Sequence, residues 1–148
     1  MVKDDSIEAI FCATDAPAHA KHAILCMEHG KHVATAVPAF RGDIDDAERR
    51  VILEHVRAAA SDRILITHGT DTMVQTARAL SDVGDKTVVL VGSLSPARFK
   101  ATDAEFNIGF AFAAVQTLPP GIYLAMNGRV FDPWSVEKNR DRNRFEAT

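Results

Sequence analysis

Five short apolar runs without polar–apolar alternation constrain this chain more than any other feature. They are "IEAIFCAT" (7–14), "HVATAV" (32–37), "RILITH" (63–68), "KTVVLVGS" (86–93) and "GIYLAMN" (121–127). A strand with one face in water alternates, whereas a strand covered on both faces reads as a continuous apolar run. Patterns of helical period separate the runs. The expected architecture is therefore a three-layer α/β/α sandwich around a five-stranded, mainly parallel sheet with right-handed crossovers.

The helical segments carry their own punctuation. Residues 16–29 open near Asp15, with Pro17 in the first turn, and stop at Gly30, a residue suited to a left-handed terminus. Residues 45–60 place Ala47, Val51, Ile52, His55, Val56 and Ala59 on one stripe, with Asp45 and Glu48 at capping-box spacing. The helix after Thr70 turns Met73, Ala77 and Leu80 inward, and a helix over 103–117 opens with Thr102 and Glu105, again at capping-box spacing. Within it, "FNIGFAFAAVQ" is apolar almost all round. Two coverings fit such a helix: a second subunit, giving a homodimer through 103–117, or phenylalanines that overhang the edge of one core. The tail "WSVEKNRDRNRFEAT" shows no core pattern and reads as loop. A flavodoxin-like or Rossmann-like strand order, 2-1-3-4-5, suits this succession.

Composition narrows the partners. A chain of 148 residues is about one domain. A net charge of −3 supplies no electrostatic attraction to nucleic acid or to an anionic membrane. No apolar run approaches the roughly 18 residues that span a bilayer, and "MVKDDSIEA" lacks a signal-peptide core. Cys12 and Cys26 suggest no disulfide framework, so reduced thiols and a cytoplasmic location are expected. His19 and His22, or His29 and His32, have i,i+3 spacing but no clustered Cys or carboxylate, and Asp43, Asp45 and Asp46 lack an EF-hand's Gly and distal Glu. No metal and no cofactor are expected. Arg140, Arg142 and Arg144 alternate with Asp and Asn, which suits a solvated segment.

In a parallel α/β sheet, ligands bind at the carboxyl ends of the strands. Three polar turns fall there: "ATDAP", "HGTDT" and "VGSLSP". Thr70 and Asp71 stand where a helix begins, and free backbone N–H groups there favour a substrate carboxylate. A threonine hydroxyl needs a base to become a nucleophile, and a distant lysine would complete a hydroxyl–carboxylate–ammonium cluster. The bland reading is a helix cap worth about 1 kcal/mol, and spacing alone favours it.

Resemblance changes that weighting. "ITHGTDTMVQTARAL" closely resembles the signature of the L-asparaginase and glutaminase family, the threonine amidohydrolases. The likeness runs on through "VVLVGSLSPARFKATDAEFNIGFAFAAVQTLPPGIYLAMNGRVFDPWSVEKNRDRNRFEA", so that residues 50 to 148 resemble the small single-domain branch. By that resemblance Thr70 is the second catalytic threonine, Asp71 binds the substrate's amino group, and Lys138 completes the relay. Gly69 and Ser93 fall on the substrate side, Ser93 against the amide.

The front third departs from that pattern. Asparaginases open with a strand that runs into a Gly-Gly-Thr turn carrying the primary nucleophile, and this turn is absent from the sequence. Instead "SIEAIFCATDAPAHAKHAILCMEHGKHVATAVPAF" resembles the Rossmann domain of NAD(P)-dependent oxidoreductases of the glucose–fructose oxidoreductase type. The second strand there leads into Glu-Lys-Pro, where this chain has Ala36-Val37-Pro38, and the Gly-rich phosphate loop is missing, so NAD binding is not implied. The two resemblances together imply one domain, 1–148, joined from an oxidoreductase-like fragment (1–45) and an asparaginase-like fragment (46–148). An engineered chimera is the leading reading, with natural fusion or divergence as the alternative. Thr14 ends the first strand, where the missing nucleophile belongs, but a 1 Å displacement costs about 100-fold in rate, and "ATDAP" offers no oxyanion site.

The expected function is accordingly a chimeric α/β domain carrying an incomplete asparaginase site, with little or no catalysis. Two alternatives stand beside it. One is a reduced amidohydrolase that converts a side-chain amide to carboxylate and ammonia. The other is a binder of aspartate or asparagine without turnover.

Overall fold

The computed structural model describes residues 9–12, 25, 28, 29, 32–35, 44–95 and 102–148. The helix expected over 16–29 lies outside the described residues, apart from Leu25, Glu28 and His29, and so does Thr14. Strands β1 (Ala9–Cys12) and β2 (His32–Thr35) pair in parallel. A second sheet holds β3 (Arg63–Thr67), β4 (Thr87–Val91), β5 (Gly121–Met126) and β6 (Arg129–Phe131), in that order. The first three run parallel and β6 returns antiparallel. A third pair, β7 (Val136–Asn139) and β8 (Arg144–Ala147), is antiparallel. The fold is thus mixed α/β around a parallel-rich sheet of four strands. No register joins β1 to β3 among the described residues, so the 2-1-3-4-5 order in one sheet goes beyond these pairings.

Among the described residues three helices pack around the four-stranded sheet, and β4 explains how. All five of its residues are buried. Val89 and Val91 pack with Ala111 and Val115 of α3 (Ala104–Thr117), while Val88 and Leu90 join Met73, Ala77 and Leu80, from α2 (Met73–Ala79) and its end. Period-two alternation thus sends neighbouring valines into opposite cores. Ile52 and Val56 of α1 (Asp46–Ala58) complete the second core. Asp45 caps α1 as its spacing predicts: Asp45 accepts from Glu48 N at 2.9 Å and Glu48 accepts from Asp45 N at 3.0 Å. The predicted stripe is narrower than expected, since Val51 stays 43% exposed.

Two expectations need correction. Thr102 and Glu105 form no capping box: Asp103 is the N-cap of α3, and its side chain caps no backbone N–H of that helix. Phe106 and Phe112 of the apolar helix remain 62% and 61% exposed, which either expected covering allows. The tail is not loop. It folds as the β7–β8 hairpin because Val136 and Phe145 are buried in the same core as Met73. Their spacing is too long for a local pattern, since one lies on each strand. A further hairpin, β5–β6, turns on Asn127 and Gly128, both at positive φ (51° and 76°). Asn-Gly is the strongest two-residue signal for such a turn.

Candidate active site

Thr70 and Asp71 occupy the turn between β3 and α2, and β7 carries Lys138 to them. Lys138 Nζ donates to Thr70 Oγ1 at 2.7 Å and to Asp71 Oδ1 at 2.7 Å. These partners lie 68 and 67 positions away in the chain. The lysine side chain is only 11% exposed, against 58% for Asp71. A largely desolvated ammonium is held by its partners more strongly than one in water. Asp71 responds: the hydrogen bond from Lys138 holds its carboxyl below the usual range, burial opposes this, and the charges of Lys138 and Arg140 add to the lowering.

Thr70 and Asp71 are therefore not the helix cap that spacing favours. Helix α2 starts at Met73, and its N-cap is Thr72, whose side chain makes no capping bond. The helix spans seven residues, which leaves little dipole to hold a substrate carboxylate.

A buried hydrogen-bond chain supports the turn from below. Arg49 Nε donates to Thr76 Oγ1 at 3.3 Å. Thr76 Oγ1 lies 2.9 Å from His68 Nε2, and His68 Nδ1 lies 2.6 Å from the Gly69 carbonyl. A carbonyl oxygen only accepts, so Nδ1 is the donor to Gly69, and Nε2 of the neutral ring accepts from the Thr76 hydroxyl. By that network the imidazole proton sits on Nδ1 and is given to Gly69 O. His68 is 2% exposed, and burial lowers its pKa; its bond to Gly69 works against this and the Arg49 charge with it.

The turn after β4 closes on the same place. A Cβ at Gly92 would lie 2.5 Å from His68 O, 2.8 Å from Met73 Cε and 3.1 Å from Thr70 Cγ2. Only glycine permits that approach. Ser93 follows, but its hydroxyl is engaged: Oγ donates to Asp103 Oδ1 at 2.6 Å. The fold thus brings together Thr70, Asp71 and Lys138, sets Gly69 beside them in the chain, and ties the Ser93 side chain to Asp103. Chemically, an ammonium donating to the Thr70 oxygen stabilises negative charge developing there, while Asp71 keeps an exposed carboxylate for a cationic group.

Residues 37–147 match the family model described as "Asparaginase, N-terminal". This chain belongs to the asparaginase family. The match begins at residue 37, ahead of residue 50, where the resemblance is expected to start, and so takes in α1. The glutaminase-asparaginase of Acinetobacter glutaminasificans is 34% identical over 94 residues, which is 60% of this chain and 28% of that protein. L-asparaginase 2 of Escherichia coli is 37% identical over 86 residues, covering 53% of this chain and 24% of its own. Among solved structures, the thermostable L-asparaginase from Thermococcus kodakarensis superimposes with a TM-score of 0.69 at 30% identity, over 80% of this chain and 39% of that one. The chain spans well under half the length of each.

Several residues at this site escape a reading of motifs. Gly92 reads as the end of a strand and His68 as the edge of a turn. Asp103 and Asn107 carried a usable signal: two polar side chains at i,i+4 at the start of a mostly apolar helix. Asn107 is fully buried, with its amide donating to Gly92 O at 3.0 Å.

Proposed function

We propose that this chain carries the Thr70–Asp71–Lys138 half of an asparaginase/glutaminase-type amidohydrolase site. In this reading it binds aspartate or asparagine and hydrolyses the side-chain amide slowly. The observation that carries the reading is the double hydrogen bond from Lys138 to Thr70 and Asp71. Thr70 presents the hydroxyl, Lys138 manages its proton, and Asp71 receives the substrate's amino group with Gly69 and Ser93 beside it. Thr14 stands in for a primary nucleophile that the Gly-Gly-Thr turn would otherwise supply. The names of the relatives, a glutaminase-asparaginase and L-asparaginases, favour amide chemistry over the other readings.

The same proposal includes an unlike front end. Residues 1–45 are oxidoreductase-like and 46–148 asparaginase-like, spliced within one domain so that β1 and β2 extend the sheet beyond β3 in the order 2-1-3-4-5. The product is a cytoplasmic chimera that works without a cofactor. Exposed Phe106 and Phe112 pair two copies through the 103–117 helix.

Calorimetric titration with L-aspartate beside an ammonia-release assay on asparagine and glutamine tests the site. Binding with weak release is expected, and both are lost in Thr70→Ala. Combining Cys12→Gly with Ala13→Gly places two glycines ahead of Thr14 and is expected to raise release by tenfold or more, a part of the roughly 100-fold that a displacement of about 1 Å costs. Silence in both assays sinks the site reading. Fast release that is indifferent to Thr14→Ala sinks the claim that the nucleophile is missing.

A further inference from the structure

The carboxylate of Asp103 is the most heavily bonded side chain described outside the Thr70 cluster. It accepts from five donors: Ser93 Oγ (2.6 Å), Leu94 N (3.1 Å), Ser95 N (3.0 Å), Asn107 Nδ2 (2.8 Å) and Asn127 Nδ2 (3.1 Å). These belong to three separate pieces of chain: the turn after β4, helix α3, and the turn between β5 and β6. An aspartate at an N-cap ordinarily accepts from a backbone N–H in the first turn of its own helix and stabilises it by about 1 kcal/mol. Asp103 makes no such bond. The first backbone N–H of α3, on Ala104, is met instead by Thr102 Oγ1 at 3.1 Å. The cap residue is thus committed elsewhere.

What it holds abuts the candidate site. Asn107, bonded to Asp103, also donates to Gly92 O and accepts from Asn127 N at 2.8 Å. Gly92 in turn lies so near Thr70 and His68 that no Cβ fits between them. A carboxylate offers about four lone-pair directions, so five donors fill it and leave the turn little freedom. Burial raises the carboxyl's pKa, but these hydrogen bonds outweigh it and hold the group at about 2, ionised throughout the neutral range.

We propose that Asp103 is a positioning residue for the Thr70 site, gathering the turn after β4, Asn107 and the Asn127 turn into one unit that keeps Gly92 pressed against Thr70. Asp103 touches no reacting atom and acts through Gly92. The inference rests on the amidohydrolase reading for its functional consequence, though its geometric content can be read without any ligand.

The test uses the full chain, with L-aspartate as probe and with NMR of the Thr70 methyl and the Gly92 amide. Asp103→Asn keeps the shape and removes the charge. It is expected to shift both resonances while the methyls of Leu80 and Val136 stay in place, and to weaken L-aspartate binding by about tenfold. Asn127→Gly tolerates the positive φ, removes one donor and is expected to move the same two resonances less; it decides the matter if Asp103→Asn does not fold. A variant that melts earlier yet leaves both resonances in place and its affinity within twofold of the parent overturns the positioning role. If the parent chain itself fails to bind L-aspartate, the amidohydrolase reading falls, and the ligand-free resonances alone decide the role of Asp103.

Discussion

Lys138 shows how much one side chain can settle. Replacing it with Met removes a charge that serves two partners. The Asp71 carboxyl then returns toward its ordinary range, a rise that carbon-detected NMR titration measures. Affinity for L-aspartate is expected to fall with it by about tenfold or more. The exposed Asp71 makes the pair a weak contributor to stability, so melting should change little. His68 behaves in the opposite way. Burial depresses its folded pKa below 6.5, so the unfolded chain takes up the proton first as pH falls. Stability is therefore full above about 6.5 and declines below it. Thermal melts between pH 7.5 and 5.5 should show that decline, flattened in His68→Asn; equal slopes in the two proteins would contradict it. Gly92→Ala drives a methyl against the His68 carbonyl, a backbone atom that cannot swing aside. A loss of about 1–3 kcal/mol in urea unfolding is expected.

At the scale of elements, the β7–β8 hairpin decides whether the site exists. Its local sequence is polar and offers only two buried apolar anchors, Val136 and Phe145. Phe145 also lies 6.3 Å from Phe131 between ring centres, tying the hairpin to β6. Phe145→Ala is expected to cost about 3 kcal/mol or more. Because Phe145 sits opposite Lys138 in register, the hairpin should loosen first and carry the lysine away from Thr70. Hydrogen exchange at Val136–Asn139 would rise ahead of exchange in β4, and uniform exchange across both strands would count against the idea. Legibility follows the same division. Strands β3, β4 and β5 were readable because packing on both faces, partial for β3, leaves an unbroken apolar run. The α1 capping box was readable because both partners lie within three residues. The hairpin was not, since its apolar anchors are sparse and pair across a turn, and the α3 cap was misassigned because Asp103 answers to a distant turn.

For the whole molecule, the open question is what meets the apolar face of α3. Phe106 and Phe110 stack at 6.4 Å, yet Phe106 and Phe112 stay mostly in solvent. A second copy covering them predicts a concentration-dependent dimer in sedimentation, abolished by Phe112→Glu. A monomer at high concentration would remove the homodimer from the proposed function. Asp103 adds a pH dependence on this scale: held at about 2 against an ordinary 3.8, it contributes stability above about pH 4 that is lost as the pH falls toward 2.

Local order by itself determined the strand–helix alternation, the parallel core, the capped entry to α1 and the Thr70–Asp71 turn. Each rests on residues a few positions apart, where periodicity and capping chemistry act. Tertiary structure alone decided that the turn is not the cap of α2 and that Lys138 reaches it. Lys138 arrives from 67 positions away on a hairpin with little pattern of its own, and Gly92 and Asp103 close the turn from two further segments. Such convergence is fixed by packing in the shared core, and spacing along the chain holds no record of it.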